Sequence, residues 1–303
     1  MAARVPVAET VSRAYRFAFG NIVDNLALVW LPIAILAALL YRYRDAYLAA
    51  VLDLQSGDPG LMQRAAPFMF ATAAVLIVLG AAQGAALTKE ALGMRKGSAL
   101  FNVPFGPSMW RLVGAYVMYV FVVALLVIAC AVAARVGRET VQAGLGYTKT
   151  AIALGTLAAV LFLVGASIFI AVKMSFFLAP VAVAERKASL IRSWELSKGN
   201  FWRLFAIALA IAIPLGLVDF AIDYALVGAD AFPHVKTQMS GAELAAYRAH
   251  QQEMTRHAFE VSGQYWYVYY PLQLLIELIG YSVAAGASAC AYQSLMRPAT
   301  MSE

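Results

Sequence analysis

Apolar residues in this chain come in long unbroken runs. Six stretches, 22–41, 67–88, 112–134, 150–172, 201–227 and 265–296, are apolar almost throughout. Each supplies the roughly 20 residues that a hydrocarbon core about 30 Å thick demands of a helix. None alternates with a period of two, which excludes the strands of a membrane β-barrel. Backbone groups in lipid must find their partners within the segment, so each run is predicted to be a helix. The pattern implies an all-α polytopic membrane bundle: six transmembrane helices plus interfacial amphipathic helices, in a single integral membrane domain over 1–303.

Polar residues cluster where these runs begin and end. Over 5–20, Val7, Val11, Ala14, Tyr15 and Ala18 share one helical face while Glu9, Thr10, Arg13 and Arg16 lie mostly elsewhere. This is the writing of an interfacial helix. It ends in the pattern R-x-[YW]-x-[FL]-x-x-G-N, carried by Arg13, Tyr15, Phe17, Gly20 and Asn21. The same pattern returns 179 positions later as Arg192, Trp194, Leu196, Gly199 and Asn200, with Lys198 inside it. Leu190, Ile191 and Trp194 give this second box an apolar face, and Trp202 and Arg203 sit at the mouth of the fifth run. Gly20–Asn21 and Gly199–Asn200 are predicted to turn each amphipathic helix into its span, Gly199 at the positive φ that stops a helix. Both boxes lead into their spans from the same side, so the chain reads as a parallel internal duplication.

Between the runs, Tyr41, Tyr43 and Tyr47 suit the headgroup level, and Ser56-Gly57-Asp58-Pro59-Gly60 reads as a turn. A basic loop containing Pro104-Phe105-Gly106-Pro107 joins the second and third spans. The largest aqueous segment is the outer loop 228–264, where the capping box Ser240-Gly241-Ala242-Glu243 predicts a helix over 241–260. The sixth span opens on the aromatic girdle Tyr265–Tyr270. Its second half, Gly280 to Ala291, is rich in small residues that let helices approach closely.

Composition agrees: 62% of the residues are hydrophobic, 13% are charged, and the mean hydropathy is +0.73. Soluble domains lie near 45–50% apolar and about 25% charged. The net charge of +6 invites a nucleic-acid reading. Its distribution argues for topology instead. Fourteen Lys and Arg fall on the side of the two boxes, including Lys89, Lys96, Arg186, Lys187 and Arg297, against nine on the other. The positive-inside rule places both termini in the cytoplasm, and anionic lipid, not nucleic acid, is the partner this charge predicts. Cys130 and Cys290 both lie in apolar runs and form no CxxC pair, so no disulfide framework is implied. The first apolar run is a full span and ends in Tyr41-Arg42-Tyr43-Arg44 without a cleavage site, so it is expected to be retained.

No P-loop, dinucleotide fingerprint, HExxH or nucleophile elbow is present, which argues against an enzyme and implies no cofactor. The polar residues inside spans are the remaining candidates. Glu277 falls near the middle of the sixth span, where a charge is expensive and faces a bundle interior or a cavity. It is either a proton or ion site, or a carboxyl tied to a neighbouring helix. Asp219 and Asp223, one turn apart in the fifth span, extend a pathway from Glu277 or sit in the wet interface. Gln83 reads as interhelical glue, and Lys173 as a snorkelling residue. His250, Glu253 and His257, at i, i+3 and i+7 of the outer helix, are weak metal-ligand candidates. An ordinary wet helix face has the same spacing, and no metal is predicted.

The stretch from Ala188 to Phe205, with Arg192-Ser193-Trp194-Glu195-Leu196-Ser197-Lys198-Gly199-Asn200 at its centre, resembles bacterial six-span proteins named after the membrane domain of glycerophosphoryl diester phosphodiesterases. The likeness extends loosely to Pro180 before Glu185 and to the ending Ala291–Arg297. It implies a bacterial inner-membrane protein. No segment outside the spans is long enough for the phosphodiesterase barrel that some of those proteins carry, and none of its catalytic residues map here. The reading favoured by the sequence is a non-enzymatic membrane component whose boxes bind anionic lipid, a partner protein or a second copy in membrane or envelope homeostasis. The alternative is a small-solute or proton-coupled transporter using Glu277 with Asp219 or Asp223.

Overall fold

The computed structural model describes residues 4–95, 105–142, 149–228 and 241–296, and among them every regular element is helical. In chain order these are α1 (Val7–Gly20), α2 (Ile22–Ser56), α3 (Pro59–Ala91), α4 (Pro107–Gln142), α5 (Lys149–Ser175), the single turn α6 (Leu178–Pro180), a π turn (Val181–Glu185), α7 (Leu190–Leu196), α8 (Phe201–Val227), α9 (Gly241–Gln264) and α10 (Trp266–Met296). Six stretches are long and apolar enough to cross a membrane: five within α2, α3, α4, α8 and α10, and a sixth, Leu161–Glu185, that runs from α5 through α6 and the π turn. The all-α polytopic bundle follows from the hydropathy runs as predicted. Lys96, Pro104, Lys236, Ser240 and Arg297 lie outside the described residues.

Both boxes lie at one end of the bundle, here the basic end. At the far end the helices outrun the apolar pattern. The first apolar run stops at Tyr41, yet α2 continues to Ser56, leaving helical dihedrals only at Tyr43 (φ −112°, ψ 15°). At 1.5 Å per residue its 35 residues extend about 52 Å, well beyond a hydrocarbon core. The extension is held by α9. Arg44 donates to the carbonyl of Phe259, Gln55 and Thr255 exchange hydrogen bonds of 3.0 and 3.2 Å, and Gln252 donates to the Leu52 carbonyl at 3.1 Å. The turn into α3 uses Gly57 at φ 72°, with Asp58 accepting from the Gly60 N–H at 2.7 Å. Neither Pro32 nor Pro214 interrupts its helix.

The core is densest at the basic half of α10, where Ala285, Gly286, Ala287, Ser288 and Ala289 are all buried. A Cβ at Gly286 would stand 3.2 Å from the Ala14 Cα and 3.1 Å from the Phe17 ring, so a side chain there presses on α1 and glycine permits its close approach. The amphipathic face of α1 is therefore turned onto protein: Thr10, Ala14 and Ala18 are buried against α10 and α8.

Candidate functional site

The second box is built on the end of α5. The Ser189 side chain caps α7 by accepting from the Arg192 N–H at 3.1 Å. Beneath it, the buried hydroxyls of Ser197 and Ser193 donate to the Lys173 carbonyl at 3.0 and 3.4 Å. The Lys173 ammonium lies over the aromatic rings at the mouth of the box. It rests 4.1 Å from the Trp194 ring centroid and 4.8 Å from that of Phe169, a cation–π arrangement. Arg192 sets its Nε 3.0 Å from both Glu185 oxygens and its Nη1 3.5 Å from Glu195. The Tyr292 hydroxyl donates to the same Glu185 at 3.2 Å. Hydrogen bonding to Glu185 raises the Arg192 pKa further, against the opposing pull of desolvation. Glu185 closes the π turn, and Arg186 leaves it at φ 56°, a left-handed conformation a non-glycine residue seldom takes.

The two boxes join one another. Asn200 is 2% exposed, and its Oδ1 accepts from the Val5 N–H at 3.1 Å. The Arg203 Nη1 donates to the Val5 carbonyl at 3.0 Å, and the Tyr15 hydroxyl to the Ala210 carbonyl at 2.9 Å. The approach of α1 to α8 buries part of the Tyr15 ring and raises its pKa. Asn21 and Asn200 share a backbone conformation (φ −124°, ψ 28° and φ −118°, ψ 8°) but not a role. The Asn21 Nδ2 only donates back to Phe17, at 3.1 Å and in the open. Gly199 takes the positive φ expected of it, 75°, whereas Gly20 is the last helical residue of α1. Arg13 pairs with Glu9 at 2.6 Å along its own helix. Lys198 and Trp202 stay exposed, Trp202 at 75%. Most of the box cations are thus engaged within the chain, and the boxes form a clamp between its two halves.

The intramembrane acids converge elsewhere. A cleft of about 390 Å³ opens between α2, α8 and α10, lined by Leu40, Leu215, Asp219, Gln273, Leu274 and Glu277 among others. Gln273 and Glu277 stand one turn apart on α10, and the Gln273 Nε2 donates to Asp219 Oδ1 at 3.1 Å. Two carboxyls from different helices thereby face one space with mostly apolar walls. Asp223 lies next along α8, near Asp219 and Tyr269. On its inner side Glu277 neighbours Gln83 and Tyr281. Gln83, 1% exposed on α3, faces Glu277 of α10 across the helix seam as expected of it, although neither amide atom closes to hydrogen-bond geometry. A second cavity of about 400 Å³, between α2 and α3 at Leu36, Tyr43, Tyr47, Phe68 and Leu76, has no carboxylate in its lining.

His250, Glu253 and His257 all stand exposed on α9, and among the described residues no group of three or more His, Cys, Asp or Glu is placed to hold a metal ion. No protein-family model, curated protein or solved structure matches this chain. The resemblance drawn above therefore rests on the sequence residues quoted for it.

Glu185, Ser193, Ser197, Gln273 and Tyr292 all take part in these arrangements and carry no motif. Their only sequence signal is polarity at the margin or interior of an apolar run. Gln273 alone had a legible clue, its i, i+4 spacing to Glu277 on one helix face.

Proposed function

We propose that this is a non-enzymatic multi-pass protein of a bacterial inner membrane, both termini cytoplasmic, that takes up protons or a small cationic solute at the Asp219–Glu277 cleft and moves them across the bilayer. The observation that carries this reading is the meeting of two intramembrane carboxyls from α8 and α10 in one cleft of about 390 Å³. That volume is the size of a small-ligand site, and ionisable side chains at such depth mark ion pathways. Asp223 and Tyr269 lie beside Asp219 and Gln273, which extends the row of polar side chains along α8 and α10 towards the far end. Because α2 and α8 run unbroken through Pro32 and Pro214, rocking about half-helices is not part of the proposal.

The test is reconstitution into liposomes containing a pH-sensitive dye. A potassium diffusion potential should drive proton entry faster than in empty vesicles, and Glu277→Gln and Asp219→Asn should each abolish the difference. Undiminished flux in both variants would sink the reading.

A second reading is favoured by the rim of the basic end, where Trp202 and Ile191 are 75% and 73% exposed beside Lys198. On it the protein binds anionic lipid, and through it a partner or a second copy, as a component of envelope homeostasis. Native mass spectrometry from mild detergent tests it. A retained anionic lipid should be lost when Arg13, Arg192 and Lys198 are changed to Gln. The same lipid retained in the variant would remove the boxes as its site.

A further inference from the structure

Five buried side chains on α1, α2, α3 and α10 have polar atoms without a hydrogen-bond partner: Thr10, Asn25, Gln83, Thr88 and Ser282, each no more than 1% exposed. Four of them fall in line. Gln83 is three and four residues before Ala86 and Leu87, Ser282 is four after Leu278 and three before Ala285, and Asn25 is three and four before Leu28 and Val29. Residues at these spacings share a helix face. The six apolar residues form one buried cluster between α2, α3 and α10, so Gln83, Ser282 and Asn25 all border that seam. Their order along it follows from the antiparallel pairing of α2 with α10. Leu40 shares the cleft with Gln273 and Glu277, while Leu28 packs with Ala285. Asn25 therefore lies beyond Ser282 towards the basic end. Thr10 stands one turn before Ala14, which meets Gly286. The sequence Glu277, Gln83, Ser282, Asn25, Thr10 thus leads from the cleft to the basic end.

Buried polar groups are satisfied, by water where the protein offers nothing, and a bilayer makes an unsatisfied group costlier still. We infer that this seam holds a file of water and that the species moved is the proton. The inference rests on the cleft reading above and deepens it. Around Glu277 the titratable groups are Asp219 on α8 and Tyr270 and Tyr281 on its own helix, with Tyr116 of α4 beyond Tyr281. Past them the four seam side chains are neutral and set among Leu, Val and Ala, so the seam offers hydrogen bonds to water and no counter-charge to a cationic solute. A proton taken by a Glu277 carboxylate oxygen passes along such a file by exchange of hydrogen bonds. It leaves at the basic end, so charge crosses and nothing is oxidised or reduced.

The experiment compares proton entry into dye-loaded proteoliposomes for the wild type, Glu277→Gln, Gln83→Leu and Ser282→Ala. The expected result is a loss of tenfold or more in all three variants. Flux lost in Glu277→Gln but intact in Gln83→Leu and Ser282→Ala would overturn the seam while leaving the cleft. No flux above empty vesicles in the wild type would overturn both. Since Gln83→Leu can fail by misfolding, Ser282→Cys in a background lacking Cys130 and Cys290 provides an independent reading in native membranes. A hydrated seam makes that thiol react with silver ion, and an inert thiol in a folded protein means a dry seam and ends the proposal.

Discussion

Gly20 and Gly199 occupy the same place in the two sequence boxes, and the structure assigns them opposite responses to the same substitution. Gly199 sits at φ 75°. Alanine there brings its Cβ against the following carbonyl, at a cost of about 1–2 kcal/mol. Gly20 closes α1 without a positive φ, and a Cβ built on it meets nothing within 4 Å. Alanine at Gly20 restricts the unfolded chain without straining the folded one, a gain of about 0.4–1 kcal/mol. The two variants should therefore differ by about 2 kcal/mol. Thermal unfolding of the detergent-purified protein, followed by tryptophan fluorescence, should show Gly199→Ala melting a few degrees below the wild type and Gly20→Ala at or slightly above it. Equal melting temperatures, or a larger loss at Gly20, would refute the assignment and mean that the duplicated boxes turn the chain in the same way.

The other expectations concern the clamp and the wedge of α1. Gly286→Val should cost about 1–3 kcal/mol through overpacking against Ala14 and Phe17, and proteolysis should then cut the N-terminal helix sooner than in the wild type. Asn200→Ala should lose about 1–3 kcal/mol by leaving the buried Val5 N–H unpaired. Asn21→Ala, exposed and locally bonded, should stay within about 0.5 kcal/mol of the wild type, so unfolding midpoints in denaturant will separate the pair. Glu185→Gln should weaken the hold on Arg192 and Tyr292. The Arg192 side chain is 38% exposed and solvent screens the pair, so the loss should be about 1 kcal/mol or less and should shrink in high salt.

The spans were legible because a run of apolar residues admits few structures in lipid, and α8 begins and ends where its run does. The helix ends were less so. Hydropathy stops at Tyr41, but helical structure needs only a partner for its polar residues, and Gln55 and Arg44 find one in α9. The π turn and the left-handed Arg186 leave no mark in the sequence of Val181–Glu185, a segment that packs against α3 and α4 and ends in the Glu185–Arg192 pair. Glu277, Asp219 and Gln83 stood out as polar residues in apolar runs. Their meeting depends on which helices are neighbours, which no single-chain periodicity records. The internal contacts of the boxes were hidden in a similar way. Basic and aromatic residues at a span mouth suit lipid headgroups, and only the fold shows Arg192, Arg203 and Lys173 facing groups of their own chain.

The contacts of α1 also impose an order on biosynthesis. The hydrogen-bond partners of Val5, just before it, and of its Tyr15, namely Asn200, Arg203 and Ala210, follow by 195 to 198 residues, and its apolar seat on α10 comes later still. At about 5–20 residues per second the ribosome needs roughly 10–40 s to deliver even the first of these. Throughout that interval the earliest-made helix has an amphipathic face and nothing of its own chain to cover it. It must wait on the membrane surface, and a chain released before its sixth span would expose that face permanently to quality control.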